Sequence, residues 1–250
     1  MEAAVADRET FALRWSDIEP RLTSRTRAVV LCTPSNPTGA VVDPREGERI
    51  VAGLAARGIV LISDETYMHF VYGRPHWSAA SAPAWRDNVV VLGTFSKSFG
   101  MMGWRLRFVL ADAAVCAQAL KVQDAMIICA PRISQVAGEA AVREAWEYPL
   151  SFRQAFEERR RVMHDALAAA GLRWMPTDGG VFAFVRIPGC EDSTSLATDL
   201  LEQAHVVTIP GAAFGNSGAG YLRISYGAAA IDDIPEAVRR LGQSLRVHGL

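Results

Sequence analysis

Hydrophobic positions along this chain follow two kinds of pattern, and the change from one to the other divides it. In residues 1–150, short continuous apolar runs alternate with segments of helical spacing. Arg27 to Cys32 is a β-branched apolar run that stops at Thr33-Pro34, as a buried strand does. Ile59-Val60-Leu61-Ile62 and Val89-Val90-Val91-Leu92 repeat that pattern, and Arg105 to Leu110 offers a fourth strand. Pro44 to Arg57 puts Ile50, Val51 and Leu54 on one helical face before Gly58. Asp17 to Leu22 reads as a short helix with an acidic start. Continuous apolar strands separated by helices predict an α/β fold, a mostly parallel sheet with helices on both faces.

Residues 151–250 read differently. Ser151 to Ala170 is a long, Ala-rich amphipathic helix that ends at Gly171, with Arg159-Arg160-Arg161 expected on its solvated side. Val181 to Val185 and Tyr221 to Tyr226 read as strands, Ser195 to Gln203 and Pro235 to Leu245 as helices. The pattern predicts a larger α/β domain over 1–150 and a smaller α+β domain over 151–250.

Composition narrows the class. The chain has 250 residues, 50% hydrophobic and 21% charged, with a mean hydropathy of +0.11, which fits a folded globular protein and argues against disorder. Lys plus Arg is 26 against 27 Asp plus Glu, so the basic excess of a nucleic-acid binder is missing. Of the four cysteines, Cys32, Cys116 and Cys129 sit in apolar runs and are expected to pack as small core residues. No C-x-x-C pair and no His ligand spacing occurs, so no metal site is expected. Met1 to Glu9 carries acidic residues and does not read as a leader, and no apolar run approaches the ~20 residues that span a bilayer. A cytoplasmic location without membrane partners is the expectation.

Reactive residue types gather at the ends of the predicted strands. Asn36-Pro37-Thr38-Gly39 follows the first, Ser63-Asp64-Glu65-Thr66-Tyr67 the second, and Thr94-Phe95-Ser96-Lys97-Ser98-Phe99-Gly100 the third. In open α/β sheets ligands bind outside the carboxyl ends of the strands, so an amide, a carboxylate with a phenol, and a hydroxyl-flanked lysine are offered to one crevice. Taken singly, each has an ordinary explanation: turn chemistry for Asn36, a helix cap for Asp64, a surface lysine for Lys97, a cation–π or salt-bridge residue for Arg105. Their occurrence together and in order favours a shared site.

Together these motifs resemble the fold-type I, class I/II aminotransferases, enzymes that use pyridoxal 5′-phosphate. The resemblance is carried by Asn36-Pro37-Thr38-Gly39, by Ser63 to Tyr67, by Ser96-Lys97-Ser98-Phe99-Gly100-Met101-Met102-Gly103-Trp104-Arg105, and by Arg223 within Tyr221-Leu222-Arg223-Ile224-Ser225-Tyr226. It runs from about Phe11 to the C-terminus. It implies that Lys97 forms a Schiff base with the cofactor aldehyde and later carries the proton between substrate Cα and cofactor C4′. It implies Asp64 against the pyridine nitrogen, Asn36 and Tyr67 toward the ring oxygen, and Thr94, Ser96 and Arg105 around the phosphate. Arg223, with Asn36, would take the carboxylate of an amino-acid or 2-oxo-acid substrate. A homodimer is implied as well.

Two features depart from the family. The resemblance implies an upstream glycine-containing phosphate loop, a ring-stacking aromatic residue and a dimer arm, and none is found before Asn36. Trp15, the single upstream Trp, is expected as a surface lead-in to a helix. The large domain is therefore expected to be N-terminally truncated and the chain to associate rather than stand as a stable monomer. The second departure is Arg107, where the family has a small residue; crowding of the strands and an edge position are both open. Transamination is the leading activity, against a lyase or synthase on the same fold or a non-catalytic fragment.

Overall fold

A computed structural model describes residue 7 and residues 10–250. It divides the chain into two compact units. Among the described residues, the first comprises 7, 12–34 and 41–153, and the second 10–11, 35–40 and 154–250.

The first unit is built on four strands, β1 (Ala28–Cys32), β2 (Val60–Asp64), β3 (Val89–Thr94) and β4 (Arg107–Leu110), in that spatial order. β1, β2 and β3 run parallel, with Cys32 beside Asp64 and Asp64 beside Leu92, so their C-terminal ends lie together. β4 returns antiparallel along β3, Thr94 opposite Arg107. Arg107 is exposed on this edge strand, which settles the question of crowding. Phe108 has its ring over Gly93, where a Cβ would lie 2.0 Å from a ring carbon, so glycine is required there.

Helix α1 (Trp15–Ile18) continues as a 3-10 turn, Glu19–Arg21. Helix α2 (Pro44–Ala55) starts where Asp43 accepts hydrogen bonds from the Arg45 and Glu46 amides and Pro44 supplies a preset φ. Its inner face buries Ile50, Val51 and Leu54 against Leu31, Leu61, Val89 and Val91. Full burial of a residue such as Leu54 or Leu61 contributes roughly 1.5–3 kcal/mol. Asn88 ties this core together by donating to the carbonyls of Val51 and Ile59, both at 3.2 Å. Trp15 belongs to the same cluster: it is half-buried, its ring lies where a Cβ on Gly53 would sit, and Arg57 covers it at 5.1 Å. The surface position expected for it is corrected accordingly.

The remaining helices of this unit are α3 (Phe95–Ser98), α4 (Ala113–Ile127), α5 (Arg132–Glu144) and the start of α6 (Glu147–Ala169). α4 is capped by Asp112, which accepts from the Ala114 amide at 2.8 Å, yet none of its residues is buried. Leu120 is 61% exposed, Met126 75% and Ile127 64%. Cys116 is half-buried and Cys129 exposed, so the core positions predicted for them, and for the half-buried Cys32, are not what the fold provides.

The second unit holds an antiparallel sheet of β5 (Arg173–Trp174), β6 (Phe182–Arg186), β7 (Ile209–Pro210) and β8 (Tyr221–Ser225), in the order β5-β6-β8-β7. The later part of α6 contributes Phe156, Met163 and Leu167 to its interior. Helix α7 (Ser193–Ala204) is capped by Asp192, which accepts from the Thr194 and Ser195 amides. Helix α8 (Asp233–Val247) buries Ile234, Val238, Leu241 and Leu245. Of the three arginines expected in solvent, Arg159 donates to the carbonyls of Tyr226 and Ala229, and Arg160 to that of Thr177. Arg161 makes surface ion pairs with Asp165 at 3.3 Å and Glu158 at 3.8 Å. Among the described residues no helix is long and apolar enough to cross a membrane.

Candidate active site

The parallel register of β2 and β3 sets the position of the reactive groups in the first unit. Asp64 is the last residue of β2 and Thr94 the last of β3. One carboxylate oxygen of Asp64 accepts from the Thr66 amide at 3.0 Å and holds the turn that follows the strand. Among the described residues, the other oxygen takes no hydrogen bond. Tyr67, in that turn, is 8% exposed. Thr94 caps α3, its Oγ1 accepting from the Ser96 amide at 3.1 Å and donating to the Leu106 carbonyl at 3.3 Å. Ser96 is buried, and the hydroxyl of Ser98, 1% exposed, has no hydrogen-bond partner.

Lys97 projects from α3 and is half-buried. Its Nζ lies 3.9 Å from the Met102 sulfur and makes no ion pair among the described residues. The chain contains only two lysines, Lys97 and Lys121, and Lys121 is exposed on α4, bonded to Gln118 at 3.1 Å. Arg105 reaches the same residue, Nη1 donating to the Met102 carbonyl at 3.0 Å. Arg105 has φ of 53°, a left-handed conformation that non-glycine residues seldom adopt and that gathers at binding sites. Lys97 and Arg105 therefore converge on one loop at the end of β3.

Glu65, to which sequence reasoning gave no role, is the best-anchored acid of this segment. It is 1% exposed and accepts from Ser63 Oγ at 2.9 Å, from the Ala79 amide at 2.9 Å and from His76 Nε2 at 3.0 Å. Burial alone would raise its pKa; the hydrogen bonds from His76 and Ala79 and the His76 charge outweigh that and hold it below 4.5. Its partners lie 11 and 14 residues further along the chain, so the local motif carried no signal for it.

Asn36 and Arg223 meet in the second unit. The alternation of β8 buries Leu222 and Ile224 and turns Arg223 to the opposite face. Arg223 Nη1 donates to Asn36 Oδ1 at 2.7 Å. Its guanidinium lies 4.5 Å from the ring centre of Phe182 and 5.1 Å from that of Phe214, which hold its plane. The loop that carries Asn36 is fixed by close backbone approach: a Cβ on Gly39 would lie 2.4 Å from the Gly179 carbonyl oxygen, and Thr177 Oγ1 donates to the Thr38 carbonyl at 2.8 Å. Gly179-Gly180 therefore packs against the Asn36 loop.

The donor sets fit the groups of pyridoxal phosphate. A carboxylate suits a protonated ring nitrogen, an amine without an ion pair among the described residues suits the aldehyde, and a guanidinium and hydroxyls of the same segment suit a phosphate.

Comparison with known proteins agrees with this chemistry. The sequence profile described as aminotransferase class I and II matches residues 1–241. Aromatic-amino-acid aminotransferase 2 of Thermococcus litoralis is 33% identical over 250 residues, covering 98% of this chain and 64% of that protein. Aspartate aminotransferase of Pyrococcus abyssi is 32% identical, with the same coverage of 98% and 64%. The crystal structure of an aromatic aminotransferase from Pyrococcus horikoshii superposes with a TM-score of 0.90 at 32% identity, over 96% of this chain and 65% of that one. The chain thus spans less than two thirds of the length of these relatives.

Proposed function

Because the chain belongs to the aminotransferase class I and II family, we propose that it serves a pyridoxal-phosphate-dependent aminotransferase, moving an amino group between an amino acid and a 2-oxo acid. The observation that carries this reading is the position of Lys97. One of only two lysines, it stands half-buried at the end of the strand next to the one that ends in Asp64.

When bound, pyridoxal phosphate supplies an aldehyde carbon and a ring that withdraws electrons from substrate Cα. Lys97 is the amine that would hold the cofactor through that aldehyde. Once freed by an incoming amino acid, its amine would carry the proton between substrate Cα and the cofactor's C4′. Asp64 keeps the ring nitrogen protonated through its uncommitted oxygen. Tyr67 and Asn36 donate toward the ring oxygen. Ser96 and Arg105 bind phosphate; Thr94, whose hydroxyl already caps α3, contributes chiefly by fixing the turn that presents them. Arg223 holds the substrate carboxylate through a planar fork, oriented by Asn36, Phe182 and Phe214. A homodimer and a cytoplasmic location belong to the same proposal, and the apolar surface of α4 supports association.

The two relatives described above are named for aromatic amino acids and for aspartate, so these are the donors to test first. Purified protein with excess pyridoxal phosphate is mixed with each donor and 2-oxoglutarate, and glutamate formation is followed. Turnover that disappears in Lys97→Ala supports the reading. Cofactor binding without turnover across a broad donor panel favours the non-catalytic reading, and product without amino transfer favours a lyase or synthase.

A further inference from the structure

A cavity lies in the first unit, and none of the cofactor-site candidates lines it. It has a volume of about 300 Å³ and is bounded by Met68, His69, Val71, Arg74, Pro75, His76, Pro149, Leu150 and Arg153. At roughly 30 Å³ per water in the liquid, this is room for a small solute of several heavy atoms.

The lining is one-sided in charge. It contains two arginines and two histidines, and no Asp or Glu among the described residues. Arg74 donates to the Val41 carbonyl at 3.0 Å. Arg153 is half-buried and makes no ion pair among the described residues. Nε2 of His69 and Nδ1 of His76 are both buried without a hydrogen-bond partner. The other nitrogen of His76 is held by Glu65 at 3.0 Å, which fixes the ring. Pro149 and Leu150 belong to the first turn of α6, so the positive end of a 23-residue helix adds to the same cavity. Buried polar atoms are normally satisfied, and half-buried cations are normally paired. An anion would supply the counter-charge to Arg153 and accept from whichever of these ring nitrogens carries a proton.

We propose that this cavity binds a small oxyanion, a carboxylate or a phosphate, through Arg153, His69 and His76. The electrostatics agree, since burial, then His76, then Arg153 hold the His69 pKa below its ordinary 6.5. A bound anion offsets the two cationic contributions and lets the His69 pKa rise. Arg74 and the buried Glu65 behind His76 are the other charged groups beside the two rings.

The test uses the full chain with excess pyridoxal phosphate, so that the cofactor's own phosphate site is filled. Inorganic phosphate and succinate are titrated separately, with sodium chloride at matched ionic strength as the control, and the imidazole NMR signals of His69 and His76 are followed. The expected result is saturable, concerted shifts of both rings with phosphate or succinate, and an upward shift of the His69 pKa. Whichever anion saturates identifies the source. Arg153→Met is expected to weaken binding at least ~10-fold, as loss of a charge-assisted contact should, with an unchanged thermal midpoint. Arg153→Lys is expected to fall between. His69→Gln gives a second, independent loss, read on His76. Non-saturating shifts identical in chloride, or undiminished affinity in Arg153→Met, would overturn the proposal.

Discussion

Arg223 and Asn36 stand 187 residues apart in sequence and 2.7 Å apart in the fold, guanidinium to amide oxygen. The contact joins a strand of the α+β sheet to a loop that follows the first parallel strand. It explains why 35–40 cluster with the second unit although they sit early in the chain. It also means that the residue proposed to bind substrate carboxylate is oriented before substrate arrives.

Replacing Arg223 by Lys is therefore expected to be costly despite the retained charge. Lysine loses the fork, the bond to Asn36 and the stacking on Phe182 and Phe214. A loss of about 1.5–3 kcal/mol in carboxylate binding corresponds to roughly a 10- to 150-fold rise in the dissociation constant. Titration with a dicarboxylate inhibitor checks this. Asn36→Ala should move the same constant in the same direction by less; an unchanged constant in both variants would remove Arg223 from the substrate site.

Glu65 should matter first for stability. Glu65→Ala strands His76, Ser63 Oγ and the Ala79 amide in a buried setting, at about 3–5 kcal/mol for a broken buried pair. Glu65→Gln keeps part of the network and should lose less. Because the folded pKa lies below 4.5, the contribution of the ionised group is full above pH 4.5 and is lost as pH falls through the lower folded value. Urea unfolding of the wild type and both variants at neutral and acid pH reads this directly. Equal midpoints for Glu65→Ala and wild type at neutral pH would show that the network is not stabilising.

His164 should act in a different window. Burial first, and then the charge of Arg160, depress its pKa from 6.5 to about 4, against a small opposing effect of Asp165. The unfolded chain then binds a proton that the folded protein resists. Its share of stability is full above pH 6.5 and is lost progressively as pH falls toward 4. His164→Phe, which keeps an aromatic partner for Trp174, should flatten the decline of the urea midpoint between those values. A slope unchanged by the substitution would exclude His164 as its source.

The parallel core was legible in the sequence because β1, β2 and β3 are continuous apolar runs, and α2 because Ile50, Val51 and Leu54 recur at helical spacing beyond a Pro44 start. α4 and α5 were not read. α4 intersperses Gln118, Lys121, Gln123 and Asp124 with apolar residues all around its axis, so it shows no contrast between faces to mark a helical period. The strand-end placement of Asp64 and Lys97 was local and could be read. The meeting of Asn36 with Arg223 and the burial of Glu65 under His76 are made by tertiary contacts, on which local motifs are silent. Arg159 and Arg160 looked solvated for the same reason: the carbonyls that capture them lie far along the chain.

The exposed face of α4 predicts association. Leu120, Met126, Ile127 and Ile128 form an apolar surface of the kind that monomers seldom leave open. The double variant Leu120→Glu, Met126→Lys should sediment with a smaller weight-average mass than the wild type across the same concentration range. A wild type that stays monomeric at high concentration would contradict this.

The assignment of Lys97 has the most direct test. The protein is incubated with excess pyridoxal phosphate, reduced with borohydride, digested and mapped by mass spectrometry. The two lysines lie in different surroundings, Lys97 half-buried beside Met102 and Lys121 exposed on α4, so the readout has a built-in control. The expected result is a stable cofactor adduct on the Lys97 peptide, with Lys121 labelled no more than in Lys97→Ala. An adduct confined to Lys121, or none on Lys97 at saturating cofactor, would contradict it.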